Sequence, residues 1–309
     1  MRLFDLHCDT LYRALEENKG LYENNFDISI SKTDHFSKWI QCFAIWIPDE
    51  VRDNNAVNLV KNAYKKLCTE MQSNASYIEQ CKNRQELENI FNSKKNGAIF
   101  TIEGSAALGG NLDNLYEFSK YGVKMITLTW NNQCEAGPGA FVENSLGITE
   151  FGKKLVSKMN ELNIIVDISH ANDRLFYDVA SISNKPIVAS HSNSREICKH
   201  KRNLTDDQFN HIRKSGGIVG INLCKDFLCS EKEPTFSDIE KHIDHFLTLS
   251  GENTIAFGAD LDGADTPNDF KSIESMQNLY EYFLKRNYNE SLLDNIFFGN
   301  AYRFFKNNI

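Results

Sequence analysis

Two side chains that could bind a metal ion occur almost at the start of the sequence. His7 and Asp9 come directly after a short apolar run and are separated by a single residue. Because side chains alternate between the faces of a β-strand, both would point in the same direction. An imidazole and a carboxylate that converge in this way suit a divalent transition metal such as zinc. His-x-Asp is also an ordinary loop pattern, so further ligands must come from elsewhere in the chain.

Four more residues of metal-binding type stand at the ends of apolar, strand-like runs. They are Glu103, His170, His191 and Asp260. Together with His7 and Asp9 they make three imidazoles and three carboxylates, which is more than one tetrahedral zinc ion needs. The sequence therefore predicts two zinc ions. We expect solvated or locally hydrogen-bonded side chains at the other five histidines, which are His35, His200, His211, His242 and His245.

The order of these residues along the chain suggests a role for two of the carboxylates. Glu103 ends the third run, between the His7/Asp9 pair and the later histidines, so it is the candidate to bridge two zinc ions. Some barrel hydrolases use a carbamylated lysine after strand four instead, but Lys124 stands at the opposite end of that run. Water shared by two zinc ions would have its pKa lowered from about 15.7 towards 7. Asp260 could take the proton from that water and pass it to a leaving group.

The elements that must position these residues are eight short apolar runs with the character of buried strands. Their predicted bounds are residues 2–6, 39–47, 97–104, 124–130, 163–170, 186–192, 216–223 and 254–262. Amphipathic stretches between them predict helices at residues 54–81, 112–121, 149–162, 174–183, 205–214 and 237–249. Such alternation is typical of parallel βα units, and eight of them can close into a (β/α)8 TIM barrel.

We expect one barrel domain over residues 1–309, whose strand ends all lie on one rim. The polar, irregular residues 21–37 are predicted to form a long loop over the mouth of the site. An open doubly wound sheet is the alternative fold, but its glycine-rich phosphate loop is absent after the first strand. Apolar residues in predicted helices 276–284 and 292–305 suit packing on the barrel, with a homodimer as the alternative use.

Composition restricts the partners and the compartment. The net charge of −8 includes no basic block, which argues against a nucleic-acid partner. The eight cysteines are scattered, without a Cys-x-x-Cys pair, as expected for reduced thiols in a reducing compartment. No signal peptide, no apolar run of membrane-spanning length and no lipid-anchor signal is recognisable, so we predict a cytoplasmic protein without a membrane anchor.

Several short motifs, in order along the chain, resemble the membrane (renal) dipeptidase family of amidohydrolase-type metal-dependent barrels. They are DLHCDT at 5–10, TIEG at 101–104, DISH at 167–170, SHS at 190–192, RNL at 202–204, GGIVGIN at 216–222, HIDH at 242–245 and GADLDG at 258–263. The resemblance covers nearly the whole chain. It implies a binuclear zinc dipeptidase in which a zinc-bridging hydroxide attacks the peptide bond.

The resemblance also implies a role for each site residue. One ion would be held by His7, Asp9 and Glu103. The other ion would be held by Glu103, His170 and His191, so that Glu103 would bridge the two. Asp260 would assist the proton transfers, and Arg202 would pair with the free carboxylate of a dipeptide. Such families accept D-residues at the C-terminal position, and some members open β-lactam rings.

The substrate pocket is predicted from fewer signals. An arginine fork matches a carboxylate bidentately, which suits Arg202 and its neighbour Asn203, although a solvated basic loop is an equal reading of the residues alone. After strand four, vertebrate members carry a substrate-binding histidine, whereas this chain has Trp130 and Asn131. An aromatic pair expected near residues 223–224 is missing. The alternatives to a dipeptidase are a barrel hydrolase of another amide, a β-lactam or a lactone, and a non-catalytic binding protein.

Overall fold

The structure, a computed structural model, describes residues 1–143 and 146–309. Its described strands, labelled β1 to β8, are Arg2–Cys8, Lys38–Trp46, Ile78–Gln80, Asn96–Glu103, Val123–Thr127, Ile165–Asp167, Val219–Ile221 and Ile255–Phe257. All of their pairings are parallel. The hydrogen-bonded order is β6-β5-β4-β2-β1-β8-β7, and β3 pairs with β4 outside this order.

The ring is closed by a segment that is not a regular strand. Residues 186–192, predicted as the sixth strand, make only two parallel bridges, from Val188 to Asp167 of β6 and from Ala189 to Val219 of β7. Seven strands and this segment therefore form a closed, eight-membered parallel ring. The predicted (β/α)8 barrel is confirmed, and only the regularity of its sixth member was wrong.

Glycines in β7 and after β8 explain why this segment can lie so close to its neighbours. A Cβ atom at Gly220 would lie 1.9 Å from the carbonyl oxygen of Ser190, and one at Gly258 would lie 1.7 Å from the same atom. No side chain fits in either place, so the backbones can approach only where glycine stands. Two of the glycine-containing motifs in the sequence thus serve the closure of the barrel.

The helices, labelled α1 to α12, are mainly those that the apolar periodicity predicts. Their bounds are Thr10–Glu16, Asp53–Ser73, Arg84–Asn92, Asp113–Tyr121, Glu150–Glu161, Asp173–Ile182, Asp206–Lys214, Lys225–Leu228, Phe236–Thr248, Ser275–Lys285, Glu290–Asp294 and Asn300–Asn308. A π-helical turn, Asn295–Gly299, joins α11 to α12. Short 3-10 helices occupy Ile30–Thr33 and Ser105–Leu108.

Polar residues fix where several of these helices begin. Thr149 before α5 accepts a hydrogen bond from the backbone N–H of Gly152, and Thr205 before α7 forms a capping box with Gln208. Each cap satisfies backbone N–H groups that have no partner within the helix, which stabilises the protein by about 1 kcal/mol. These starts agree with the predicted helices 149–162 and 205–214 within one residue.

The predicted helix 54–81 was wrong in its last part. The chain leaves α2 at Ser73 and forms β3, in which Ile78 and Gln80 are buried while Glu79 is exposed. The apolar spacing after residue 73 suits a helix equally well. Pairing with the first residues of β4 decides for the strand, since β5 pairs with β4 only from Phe100 onward.

The C-terminal residues close the end of the barrel that lies opposite the carboxyl ends of the strands. Phe298, Phe304 and Phe305 are buried there in one cluster with Phe4 and Ile40 of the first two strands. The Phe4 and Phe305 ring centres are 5.0 Å apart. Packing of the predicted helix 292–305 on the barrel is therefore confirmed.

A substitution at Gly258 tests the closure of the ring. Gly258→Ala would force a methyl group against the Ser190 carbonyl, so we expect a loss of stability of about 1–3 kcal/mol or more, or failure to fold. Thermal unfolding measures it. The control is Gly20→Ala, whose Cβ would lie 3.6 Å from Glu70, an ordinary contact. Equal melting temperatures for the two variants would contradict the close approach of β8 and the segment 186–192.

Candidate active site

The six predicted metal-binding residues converge on the carboxyl rim of the barrel. His7 lies at the end of β1 and Glu103 at the end of β4, while the others follow β1, β6, β8 or lie in the closing segment. Five of the six are buried, and these are His7, Asp9, Glu103, His170 and His191. Burial of so many polar side chains costs free energy unless they are paired or bind a metal ion.

The Glu103 carboxylate lies between two groups of imidazoles. Its Oε1 atom is 2.7 Å from Nε2 of His170 and 3.7 Å from Nε2 of His191. Its other oxygen, Oε2, is 3.6 Å from Nε2 of His7. The two oxygens thus face different imidazoles, which is the arrangement that a carboxylate bridging two ions requires.

A second group of ligand atoms surrounds His7. Its Nε2 atom lies 3.5 Å from Oδ2 of Asp9 and 3.7 Å from Oδ1 of Asp260. Among the described residues, Nε2 of His7 and Oδ1 of Asp9 have no hydrogen-bond partner although both are buried. Two sets of three ligand atoms, each within 4.8 Å, are present: His7, Glu103 and His191, and His7, Asp9 and Asp260. The residues present therefore fit a divalent metal ion.

Hydrogen bonds fix which nitrogen of two histidines faces the metal-binding atoms. Asn131 Oδ1 lies 2.9 Å from Nδ1 of His170 and can only accept a hydrogen bond, so this Nδ1 carries the proton. Ser190 donates its hydroxyl hydrogen to Asp167, so its oxygen accepts from Nδ1 of His191 at 2.7 Å. In both imidazoles Nε2 is then the unprotonated nitrogen, and the two Nε2 atoms lie 2.8 Å apart, so both point to one place where a metal ion could bind.

Two buried aspartates hold the strand ends that carry these ligands. Asp5 accepts hydrogen bonds from the backbone N–H groups of His7 and Ala259, which joins the ends of β1 and β8. Asp167 accepts from the backbone N–H groups of Ser169 and Ser190, which joins β6 to the closing segment. Neither aspartate was predicted as a site residue, although both lie inside the motifs that signal the family.

The electrostatic field of the site differs between its two sides. Burial by itself lowers the pKa of His7, but the neighbouring carboxylates Glu103, Asp9 and Asp260 outweigh it and raise the pKa to about 10. Burial raises the pKa of Glu103 to about 8. Burial also holds the pKa of His170 well below its usual range. Without a metal, His7 is therefore the cation of the site, and a metal ion has to displace its proton.

Asp260 is held in a strained position beside the ligands. Its φ angle is +61°, a conformation that a non-glycine residue rarely adopts. Asn222 donates a hydrogen bond to its Oδ2 atom at 3.0 Å. Burial raises the pKa of Asp260 to about 6, near the value that suits a general acid or base at neutral pH. A side chain at Gly263 would meet Asp9 Oδ2 at 2.0 Å, so only glycine fits there.

A cavity of about 410 Å³ opens above these residues. Trp130 and Asn131, which were predicted to contact substrate, both line it. Asn203 does not, because its amide donates hydrogen bonds to the backbone carbonyls of Cys198 and Phe227. The lining residues that sequence reasoning missed include Tyr12, Trp46, Cys224, Asp226 and Phe227. Phe227 supplies an aromatic ring three residues beyond the position where one was expected.

Arg202 is buried, so the solvated-loop reading of this residue was wrong. All three nitrogens of its guanidinium group lack a hydrogen-bond partner among the described residues. The group stacks on Phe227, with 5.1 Å between Cζ and the ring centre. Arg202 and His170 both line a small cavity of about 10 Å³. A buried guanidinium without a partner costs free energy, and an anionic group that accepts its N–H groups would remove that cost.

The loop 21–37 lies beside the site and does not line the cavity. Asp262 holds it by accepting hydrogen bonds from the backbone N–H of Asp27 at 2.8 Å and from the Thr10 hydroxyl at 2.6 Å. An ion pair from Arg13 to Asp262, at 3.0 Å, completes this anchor. The predicted cover over the mouth was therefore wrong.

His242 also differs from its prediction. It is buried, its Nδ1 atom accepts a hydrogen bond from the backbone N–H of Ser194, and its Nε2 atom donates to the carbonyl of Leu228. Burial lowers the pKa of His242 to about 4, so it is neutral at physiological pH. This histidine ties the chain between His191 and Arg202 to the helix that carries Phe227.

Comparison with known proteins agrees with this geometry. A family model described as membrane dipeptidase, peptidase family M19, matches residues 1–308. The chain belongs to this family. It is thus a hydrolase of the metallo-dipeptidase class, as the motifs predicted.

Relatives and solved structures extend the likeness over the chain. Mouse Dipeptidase 3 is 30% identical over 276 residues, which cover 86% of this chain and 55% of that protein. An uncharacterised Klebsiella pneumoniae protein is 31% identical over 244 residues, or 75% of this chain and 90% of that one. The chain thus spans about half the length of the mouse relative.

Two solved structures share the whole fold. A family M19 metallo-peptidase named dipeptidase AC is 26% identical, with a TM-score of 0.93 over 100% of this chain and 98% of that chain. A Rhodobacter sphaeroides metallo-peptidase, liganded with a phosphinate mimic of the dipeptide L-Ala-D-Ala, is 25% identical with a TM-score of 0.93. It covers 100% of this chain and 99% of its own.

Asn131 offers a test of how the ligands are oriented. Asn131→Leu keeps the volume but removes the acceptor for His170, so we expect zinc affinity to fall about 10- to 100-fold. Competition with a chelating dye measures this affinity. The neighbouring variant Asn132→Leu is the control, because Asn132 bonds to Asp49 at the surface. If both variants bind zinc as the wild type does, Asn131 does not orient His170.

Proposed function

We propose that this chain is a zinc dipeptidase that cleaves the peptide bond of dipeptides at a two-ion centre bridged by Glu103. The observation that carries the proposal is the Glu103 carboxylate, whose Oε1 atom faces His170 and whose Oε2 atom faces His7. The ligands proposed for the two ions are His7, Asp9, Glu103, His170 and His191. Imidazoles and carboxylates in such a set suit zinc.

Metal ions held by these residues would lower the pKa of a bound water molecule to near neutrality and would polarise the carbonyl group of the substrate. The protein's own contribution is to hold the ligand atoms in place before metal binds. Asn131 and Ser190 keep the correct nitrogen of His170 and His191 free. Asp5 and Asp167 fix the backbone on which the ligands stand.

Arg202 would bind the free carboxylate at the C-terminus of the dipeptide. Its guanidinium is buried and unpartnered among the described residues, and its stacking on Phe227 fixes the plane of the fork. A carboxylate that accepts two of its N–H groups would satisfy this buried charge. Such an anchor holds the scissile bond at a fixed distance from the ligands and so favours dipeptides over longer peptides.

Asp260 would move the proton during hydrolysis. Its pKa of about 6 lets it accept a proton from the attacking water at neutral pH. When the C–N bond breaks, the same carboxyl group gives that proton to the departing amine nitrogen. The hydrogen bond from Asn222 leaves the Oδ1 atom of Asp260 directed towards His7.

The compartment and partners form part of the same proposal. Within residues 1–143 and 146–309, no helix is both long and apolar enough to cross a membrane. All eight cysteines are free thiols, and several are buried in the core, which supports a reducing, cytoplasmic location. The proposed partners are dipeptides, with no nucleic acid and no membrane anchor, and a homodimer stays a prediction.

The direct test is the zinc content of the purified protein together with hydrolysis of small L,L and L,D dipeptides. We expect about two zinc ions per chain and turnover. Two zinc ions without turnover of any dipeptide would direct the proposal to other amides, β-lactams or lactones. A chain that cannot be loaded with metal would contradict the proposal.

Two substitutions separate the bridging ligand from the proton shuttle. Glu103→Gln should weaken binding of both ions and abolish turnover, because an amide cannot bridge two cations as a carboxylate does. Asp260→Asn should retain both ions while kcat falls about 100-fold or more, as expected for a lost general base. Metal analysis and steady-state kinetics measure both effects. Loss of zinc from Asp260→Asn would instead identify Asp260 as a ligand.

Arg202→Met should have opposite effects on binding and stability. Without the guanidinium, KM for dipeptides should rise about 30-fold or more, as expected when one partner of a buried charge pair is removed. The melting temperature of the substrate-free protein should stay equal or increase, because an unpartnered buried charge has gone. Lys199→Met in the same loop is the control, since Lys199 is an exposed basic residue. An unchanged KM in Arg202→Met would contradict the carboxylate anchor.

A further inference from the structure

One wall of the cavity is built from three aromatic side chains centred on Trp46. The ring centre of Trp46 lies 5.4 Å from that of Tyr12 and 4.9 Å from that of Trp130, both in edge-to-face geometry. All three rings line the cavity. We call Tyr12, Trp46 and Trp130 the aromatic wall. The catalytic proposal assigns no task to this wall as a unit.

The aromatic wall lies across the barrel from the carboxylate anchor. Around the ring, Trp46 ends β2, which is the second of the eight members in chain order. The loop that carries Arg202 follows the sixth member, the segment 186–192. In an eight-membered ring, the second and sixth members are opposite each other. A dipeptide whose carboxylate reaches Arg202 and whose amide lies over Glu103 thus directs its N-terminal residue towards Trp46.

The charge of Asp262, which lines the cavity beside this wall, is paired within the protein. Asp262 forms an ion pair with Arg13 and accepts hydrogen bonds from the loop 21–37. Burial, with Glu16, Glu50 and Asp9 nearby, raises the pKa of Tyr12, so its phenol stays neutral. The carboxylate of Asp226, which has no described ion-pair partner, follows β7 on the side of Arg202. The wall itself therefore presents neutral aromatic rings, while the carboxylates of Asp9, Glu16 and Glu50 lie near Tyr12.

We propose that the aromatic wall is the binding subsite for the side chain of the N-terminal residue, and that it selects dipeptides with an aromatic residue there. The inference rests on the proposed dipeptidase function and adds its substrate class. Aromatic rings prefer the edge-to-face contacts that a wall of this kind offers. The cavity of about 410 Å³ is of the size that binds small molecules of this class.

Hydrolysis by the zinc-loaded enzyme tests the selection first. The panel is L-Phe-L-Ala, L-Leu-L-Ala, L-Ala-L-Ala, L-Lys-L-Ala and the reversed L-Ala-L-Phe. We expect kcat/KM for L-Phe-L-Ala to exceed that for L-Ala-L-Ala by about 10-fold or more, with L-Ala-L-Phe showing no such gain. Preference for L-Lys-L-Ala over L-Phe-L-Ala would overturn the aromatic class. A gain for L-Ala-L-Phe alone would overturn the orientation.

Substitutions in the aromatic wall then test whether the wall causes the preference for an aromatic N-terminal residue. In Trp46→Leu and Trp130→Leu the ratio of kcat/KM for L-Phe-L-Ala to that for L-Ala-L-Ala should fall to about 3 or less, because L-Phe-L-Ala loses more contact with the wall than L-Ala-L-Ala does. Tyr116→Leu is the matched control, because Tyr116 is an exposed aromatic residue on α4, outside the cavity. An unchanged ratio in both tryptophan variants would overturn the proposal. An equal loss for both substrates would overturn it as well.

Tryptophan fluorescence gives a readout that does not depend on turnover. The chain has three tryptophans, two of which form the wall, while Trp39 is fully buried. In an Asp260→Asn background, which slows turnover, L-Phe-L-Ala should change the emission and bind about 10-fold more tightly than L-Ala-L-Ala. Equal affinities and no spectral change would overturn the subsite.

The outcomes distinguish this inference from the function on which it rests. Turnover of the panel with no preference at the N-terminal position would overturn the subsite and leave the dipeptidase function standing. Absence of turnover for every dipeptide at full zinc loading would overturn the proposed function, and the subsite with it.

Discussion

The buried carboxylate of Glu103 is the constraint on which the rest of the structure depends. It lies between the imidazoles of His170 and His7, in surroundings where burial raises its pKa to about 8. An isolated carboxylate is unstable in such a place, so cations have to compensate it. His7 lowers the pKa of Glu103 but does not outweigh burial when metal is absent, and zinc would complete the compensation in the proposed enzyme. The proposed ligands are thus arranged around a buried carboxylate whose charged form is stable only beside cations.

Other residues hold the proposed ligands in place without taking a direct part in the chemistry. Asp5 and Asp167 use their carboxylates to join neighbouring strand ends through backbone N–H groups. His170 and Asp260 have positive φ angles, which cost free energy that the surrounding packing has to supply. The unpartnered guanidinium of Arg202 adds a further cost. Two residues with positive φ angles and one unsatisfied charge therefore lie at this rim of the barrel, while the other end is closed by an apolar cluster around Phe4.

The two ends of the proposed substrate meet different kinds of surface. A buried positive charge, that of Arg202, stacks on Phe227, which lines one side of the cavity, and the aromatic wall stands at the other side. The proposed ligands and Asp260 lie between these two surfaces. This division gives a dipeptide a defined direction in the cavity, because its carboxylate and its N-terminal side chain require opposite environments.

The sequence by itself determined the barrel and the set of candidate ligands, because both depend on local order. Apolar periodicity marks strands and helices, and a polar residue at the end of a parallel strand must lie on the active rim. The tertiary structure decided those features that the local sequence pattern does not specify. Pairing with β4 turned residues 78–80 into a strand, and the close approach at Gly220 and Gly258 made the sixth member irregular. Contacts between distant elements decided three further features. These are the burial of Arg202, the hydrogen-bond partners of Asn131 and Asn203, and the packing of Trp46 against Tyr12 and Trp130. Such contacts have no periodic signal, so only the folded chain reveals them.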